Sequence, residues 1–145
     1  MAFTGNFVTN TFKTGLLDGT FNFNTGTTQV FKIALYTNAA TLDATTTSYT
    51  STGESTGGNY SAGGQVLTIS QTPTIGNQTG NATSYISFDN VSWTGSITAR
   101  GALIYKAGDN GAVCVLDFGN DKTSTSTFTV QFPAVTNTSA IIRIS

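Results

Sequence analysis

The sequence predicts an all-β domain: a sandwich or jelly-roll-like barrel of about seven to eight short antiparallel strands, with at most one short N-terminal helix. Three observations predict it. About one residue in five is Thr, a β-branched side chain that suits a pleated, half-exposed strand and suits a helix poorly. The apolar residues fall in short runs of strand length, several with period-two alternation. Clusters of Gly, Asn, Asp and Ser separate those runs. At 145 residues the chain is read as a single β-sandwich domain over 1–145, with an N-terminal arm or short helix over about 1–20. A chain of this length buries roughly 70% of its unfolded surface, so the core needs no covalent staple. Cys114, the single cysteine, excludes an internal disulfide and sits in an apolar run as a small hydrophobe.

The one predicted helix runs from Asn10 to Asp18. Asn10 or Thr9 caps it, Phe12 and Leu16 stand at i and i+4, and Gly19 suits the position just past its end. Gly15 weakens it by about 1 kcal/mol relative to Ala. Strands follow. Phe31 to Tyr36 alternates, with Phe31, Ile33 and Leu35 on one face. Gln65 to Ser70 sets Leu67 and Ile69 opposite Val66 and Thr68. Tyr85 to Phe88 puts Ile86 and Phe88 together, and Val91 to Trp93 is a further short piece. Ile97 to Lys106 and Ala112 to Phe118 are longer apolar runs joined by Ala107–Gly111, where Asn110-Gly111 is a hairpin signal because both residues tolerate positive φ. Thr127 to Phe132 alternates cleanly until Pro133 stops it. Ala140 to Ile144 closes the chain.

Thr37 to Gly64 is the segment out of character. It is nearly all Thr, Ser, Gly, Ala and Asn, and a structureless loop of that length is uncommon in a compact domain. Three readings stand open: short strands at Ser48 to Ser51 and Asn59 to Ala62, order imposed by a partner, or an exposed flexible loop.

Composition excludes much chemistry. Only 9% of residues are charged, against roughly 25% in a typical domain. The absence of His removes Ser-His-Asp and Cys-His catalysis and most zinc sites. Glycoside hydrolysis needs only two carboxylates, but none among Asp18, Asp43, Glu54, Asp89, Asp109, Asp117 and Asp121 stands out as an acid/base pair. Asp117 to Asp121 offers oxygen ligands to Ca²⁺ and reads first as a turn between strands. Trp93, the lone Trp, is a platform for a sugar ring or else a core residue. No catalytic, cofactor-binding or metal residue is assigned, no cofactor is expected, and partner-binding residues are left unknown. Six scattered Lys/Arg and a net charge of −1 argue against nucleic-acid and anionic-membrane partners. The first residues carry no secretory signal pattern, which suggests a protein made in the cytosol that stays there or leaves by a route other than secretion, such as lysis. Asn59, Asn77, Asn81, Asn90 and Asn137 match the glycosylation triplet, as expected by chance in so Asn- and Thr-rich a chain.

Several segments carry a resemblance. They are Met1–Val8 running on to Phe12-Lys13, Phe31 to Thr37, Tyr60 to Gly64, Ile97 to Tyr105, and Ala112 to Lys122. In order and spacing they resemble a group of small virion structural proteins of tailed bacteriophages, frequent among phages of aquatic bacteria and cyanobacteria. The resemblance implies a particle component without enzymatic activity, made in the host cytoplasm and located in the virion. It implies a capsid decoration (cement) protein that binds the major capsid protein lattice and stabilises the head, self-associating with a trimer favoured. The alternative is a tail, baseplate or fibre part, or a host-glycan-binding module. Phe3 and Phe7 are the candidate anchors in the N-terminal arm, or else cover the domain's own core.

Overall fold

Alternation along Phe31–Tyr36 builds the centre of the molecule. In the computed structural model, which describes residues 3–76 and 82–145, both faces of this strand are buried. The described elements run β1 (Phe7–Val8), α1 (Asn10–Asp18), β2 (Phe31–Tyr36), β3 (Gln65–Val66), β4 (Ile69–Gly76), β5 (Thr83–Phe88), β6 (Val91–Thr94), β7 (Thr98–Lys106), β8 (Ala112–Thr123), β9 (Thr127–Val130) and β10 (Ile142–Ile144). Every pairing between them is antiparallel. One sheet has the order β1-β8-β7-β2-β3; a second has β10-β5-β4; β6 and β9 pair as a ribbon.

The five-stranded sheet forms one layer, and the three-stranded sheet with the ribbon forms the other. Phe31, Ile33, Leu35 and Ile104 of the first meet Ile86, Phe88, Trp93, Phe128 and Ile142 of the second in one core. Phe12 of the helix closes an end of it with Phe21 and Phe23, and Phe23 stacks on Phe31 at 4.3 Å between ring centroids. The all-β sandwich with one short helix is therefore the observed fold.

A second core lies on the other face of the five-stranded sheet. There Ala34, Tyr36, Leu103, Tyr105 and Val115 are covered by Phe3, Ala40 and Leu42, with Tyr49 packed alongside. The long Thr-rich segment supplies most of that cover, which explains its length. It forms no strand; its ladder contacts are the isolated bridges Tyr36–Glu54 and Ser48–Gly111. The expected strands at Ser48 to Ser51 and Asn59 to Ala62 are thus absent, because side-chain bonds and turns satisfy the backbone there instead. Gly64 (φ +69°) ends the segment so close to the carbonyl of Ile33 that a Cβ would overlap it.

The helix has the bounds read from its signals. Thr9 is the cap, accepting from the Phe12 N–H at 3.1 Å, and Gly19 takes the left-handed conformation at φ 79°. Thr9 also donates its hydroxyl to the Ala112 carbonyl at 2.8 Å, which ties the helix to β8. Gly15 is buried, and a Cβ there would enter the Phe21 ring. Packing, not propensity, selects glycine.

Three strand expectations are corrected. Gln65 to Ser70 is not one strand: β3 pairs with β2, while β4 pairs with β5, and Leu67 turns into the core between them. Asp117 to Asp121 is not a turn between strands. Strand β8 runs through it, and the register jumps from Gly101–Asp117 to Ala99–Lys122, a wide bulge opposite Arg100. Strand β9 stops at Val130, two residues before Phe132. The two-residue strands β1 and β3 raise the number of strands above the eight expected. The hairpin at Asn110-Gly111 is present, with Asn110 at φ 62°.

Candidate functional site

The chemistry-bearing residues are placed apart. Asp18 accepts from Thr20, Asp43 from Thr45, and Asp109 faces Lys106 at 2.7 Å. Those contacts lower all three carboxyl pKa values: the Thr20 and Thr45 hydroxyls act first on Asp18 and Asp43, and the Lys106 ammonium on Asp109. Asp117 pairs with Arg100 at 3.1 Å and accepts from the Gly119 N–H at 2.8 Å. That occupies the first of the oxygen ligands proposed for Ca²⁺. Among the described residues no group of three His, Cys, Asp or Glu could hold a metal ion.

Trp93 is 1% exposed and packs against Tyr60 at 5.6 Å. It is a core residue, so it offers no face to a sugar. Cys114 is buried, and burial alone pushes its thiol up to about 12. Phe3 is 1% exposed, fitted against Gly101 with the Arg100 guanidinium over its ring. It covers its own sheet and is not a free anchor; Phe7 is half-buried in the same cluster. Asn77 and Asn81 lie outside the described residues. The side-chain oxygens of Asn59 and Asn90 accept from the backbone of Thr94 and Phe132.

Glu54, one of the seven carboxylates in the sequence, has a role that its sequence neighbours do not disclose. Its carboxylate accepts the Tyr60 hydroxyl at 2.6 Å, the Gly63 N–H at 2.7 Å and the Tyr49 hydroxyl at 2.7 Å. Tyr60 also receives the Leu35 N–H, Tyr36 donates to the Thr50 carbonyl, and Tyr105 donates to the Gly63 carbonyl. Burial, followed by the neighbouring Glu54, raises the pKa of all four tyrosines, that of Tyr49 to about 12. Every group here is used to hold the 37–64 segment on the sheet, so the cluster reads as structural.

The feature that points outward is a groove between α1 and β10. Two hollows, of about 410 and about 120 Å³, share Phe12, Leu16, Ile142 and Ile144. Their lining is almost wholly apolar. Two facts of the fold create it. The helix buries Phe12 and Gly15 but leaves Leu17 92% exposed. The inner face of the three-stranded sheet also outruns its cover: Ile86 and Ile142 lie in the core, while the parallel row of Ile75, Ser84 and Ile144 does not, Ile75 and Ile144 being about half exposed. Lys13 and Arg143 complete the lining of the larger hollow, and no carboxylate does. β10 is an end strand of its sheet.

No protein-family model, no curated protein and no solved structure matches this chain. No helix among the described residues is long and apolar enough to cross a membrane.

Proposed function

We propose that this chain is a structural component of a tailed-phage virion, a decoration protein that binds the head lattice, self-associates and carries no catalytic activity. The observation that carries the reading is the α1–β10 groove. It is an apolar surface beside an end strand, on a protein with only 9% charged residues. Free monomers keep exposed apolar patches small. A subunit that spends its life against a shell has no such need. The resemblance of its segments to small virion proteins is in keeping with the same reading.

The physics of such a role is modest per contact. A shell under internal pressure fails where neighbouring units part, and an oligomer seated across them links several ordinary interfaces through effective concentration. Attachment resting on apolar packing persists in about 1 M salt, which screens exposed charge pairs.

The test is gold-antibody labelling of intact particles by electron microscopy, with a salt wash alongside. Label spread over the heads and retained after the wash is the expected result. Label confined to the tail refutes the decoration role and moves the chain to a tail or fibre part. Release by salt alone refutes the apolar mode of attachment.

A further inference from the structure

Resting on that assembly reading, we infer that the α1–β10 groove is the docking slot for an extended arm of the lattice protein, one that brings apolar side chains and at least one carboxylate. Three properties of the slot select this occupant. Leu17 and Ile144 line the larger hollow together, 92% and 53% exposed, so the slot takes apolar side chains. Lys13 and Arg143 line it too, two of the chain's six Lys/Arg, the Arg143 guanidinium also donating to the Thr138 carbonyl. The adjoining hollow between β1 and β10 likewise has no Asp or Glu in its wall. The ion pairs among the described residues lie elsewhere, at Arg100–Asp117 and Lys106–Asp109. The flank is therefore a positive rim around an apolar floor, and its complement is an apolar segment with negative charge.

The third property is backbone. Among the described residues β10 pairs only with β5, so the groups on its other edge have no strand partner there. An extended arm can add to that edge, its side chains entering the hollow at alternate positions. A two-fold pairing of identical grooves fails on charge, since it sets Lys13 and Arg143 against their own copies.

The experiment treats decorated particles with a zero-length carbodiimide, which joins an amine to a carboxylate already in contact, and maps the joined peptides by mass spectrometry. The expected product is an amide between Lys13 and an Asp or Glu of the lattice protein. In parallel, Leu17→Asp and Ile144→Asp chains are added to particles assembled without the protein. Both residues are exposed, so folding survives, as an unchanged melting temperature will show. Their occupancy should fall at least about tenfold, the value of one buried aliphatic side chain. Lys13 joined to a second copy of this chain, told apart by mixing isotope-labelled protein, overturns the inference. So does full occupancy by Leu17→Asp. Either result with the protein still on the heads leaves the decoration reading standing. Absence of the protein from particles removes that reading and the inference with it.

Discussion

Replacing Glu54 by glutamine tests whether one carboxylate holds the 37–64 cover on the sheet. Three donors converge on it, two tyrosine hydroxyls and the Gly63 N–H, at 2.6 to 2.7 Å. Hydrogen bonds to an ionised acceptor contribute about 1.5–3 kcal/mol each, against about 0.5–1.5 for neutral pairs. Glutamine keeps one acceptor oxygen and presents an NH₂ where the other stood. The remaining oxygen can serve Tyr60 and Gly63 without its charge, while Tyr49 must turn from donor to acceptor. Losing about 1 kcal/mol per bond, discounted because Glu54 is only half-buried, predicts about 2 kcal/mol in total. For a chain of this size that lowers the melting temperature by about 4–8 °C. The assay is thermal unfolding followed in the near ultraviolet, together with amide exchange at Gly63, which should accelerate. A double-mutant cycle with Tyr60→Phe should give a coupling of about 1 kcal/mol. A shift below about 1 °C with Gly63 exchange unchanged refutes the reasoning: Ala40 and Leu42 would then hold the segment by apolar contact alone.

Three further outcomes follow from the packing. Tyr36, Tyr49, Tyr60 and Tyr105 all have pKa values raised above the ordinary 10.0, so the fold keeps protons that the unfolded chain gives up. Their contribution is complete below pH 10 and is lost as pH climbs through the folded values. Melting temperatures from pH 9 to 12 should fall steeply above 10, and a flat profile counts against the network. Gly15→Ala should destabilise by about 1–3 kcal/mol in denaturant melts, since the overpacking against Phe21 outweighs the helix propensity gained; a stabilised variant would show the ring is free to move. Cys114 should react with a thiol reagent only at the rate of unfolding, and labelling within seconds in native buffer would contradict its burial.

The local signals were legible where a single rule decided the outcome. Thr9, Asn10 and Gly19 mark both ends of α1 because caps are short-range chemistry. Phe31–Tyr36 is bounded correctly because both sides of it are buried and its ends meet turns. Legibility failed where distant residues decide. Nothing near Leu67 announces that the chain leaves one sheet there and joins another. The Asp117–Asp121 stretch looks like a turn because its residues are turn formers, yet Asn6 from the far end of the chain accepts the Asp117 N–H at 2.7 Å and Arg100 pairs with its side chain, so a bulge forms and the strand continues. The Thr37–Gly64 segment misled for a related reason. Its few large residues, Leu42, Tyr49 and Tyr60, are too sparse to show a period, but each lands on a prepared surface. Glu54 was weighed only as a possible acid, because a lone carboxylate among threonines does not disclose that tyrosines close on it.

That same segment explains why the groove is where it is. The five-stranded sheet is buried on both faces, one by the opposing layer and one by residues 37–64. Covering two faces consumes most of the large apolar side chains in a chain that is 38% hydrophobic. The inner face of the three-stranded sheet runs past the end of its partner with the short helix beside it. Gly19 ends α1 directly after Leu17 and Asp18. A charged residue in place of Leu17 would have kept the flank soluble at no cost to the core, since that position is 92% exposed. The chain instead has leucine there, next to isoleucine on an end strand, with lysine and arginine on the rim. The exposed leucine and isoleucine are unfavourable for an isolated monomer, and they become favourable, with the two cations paired, once an acidic, apolar strand lies in the groove.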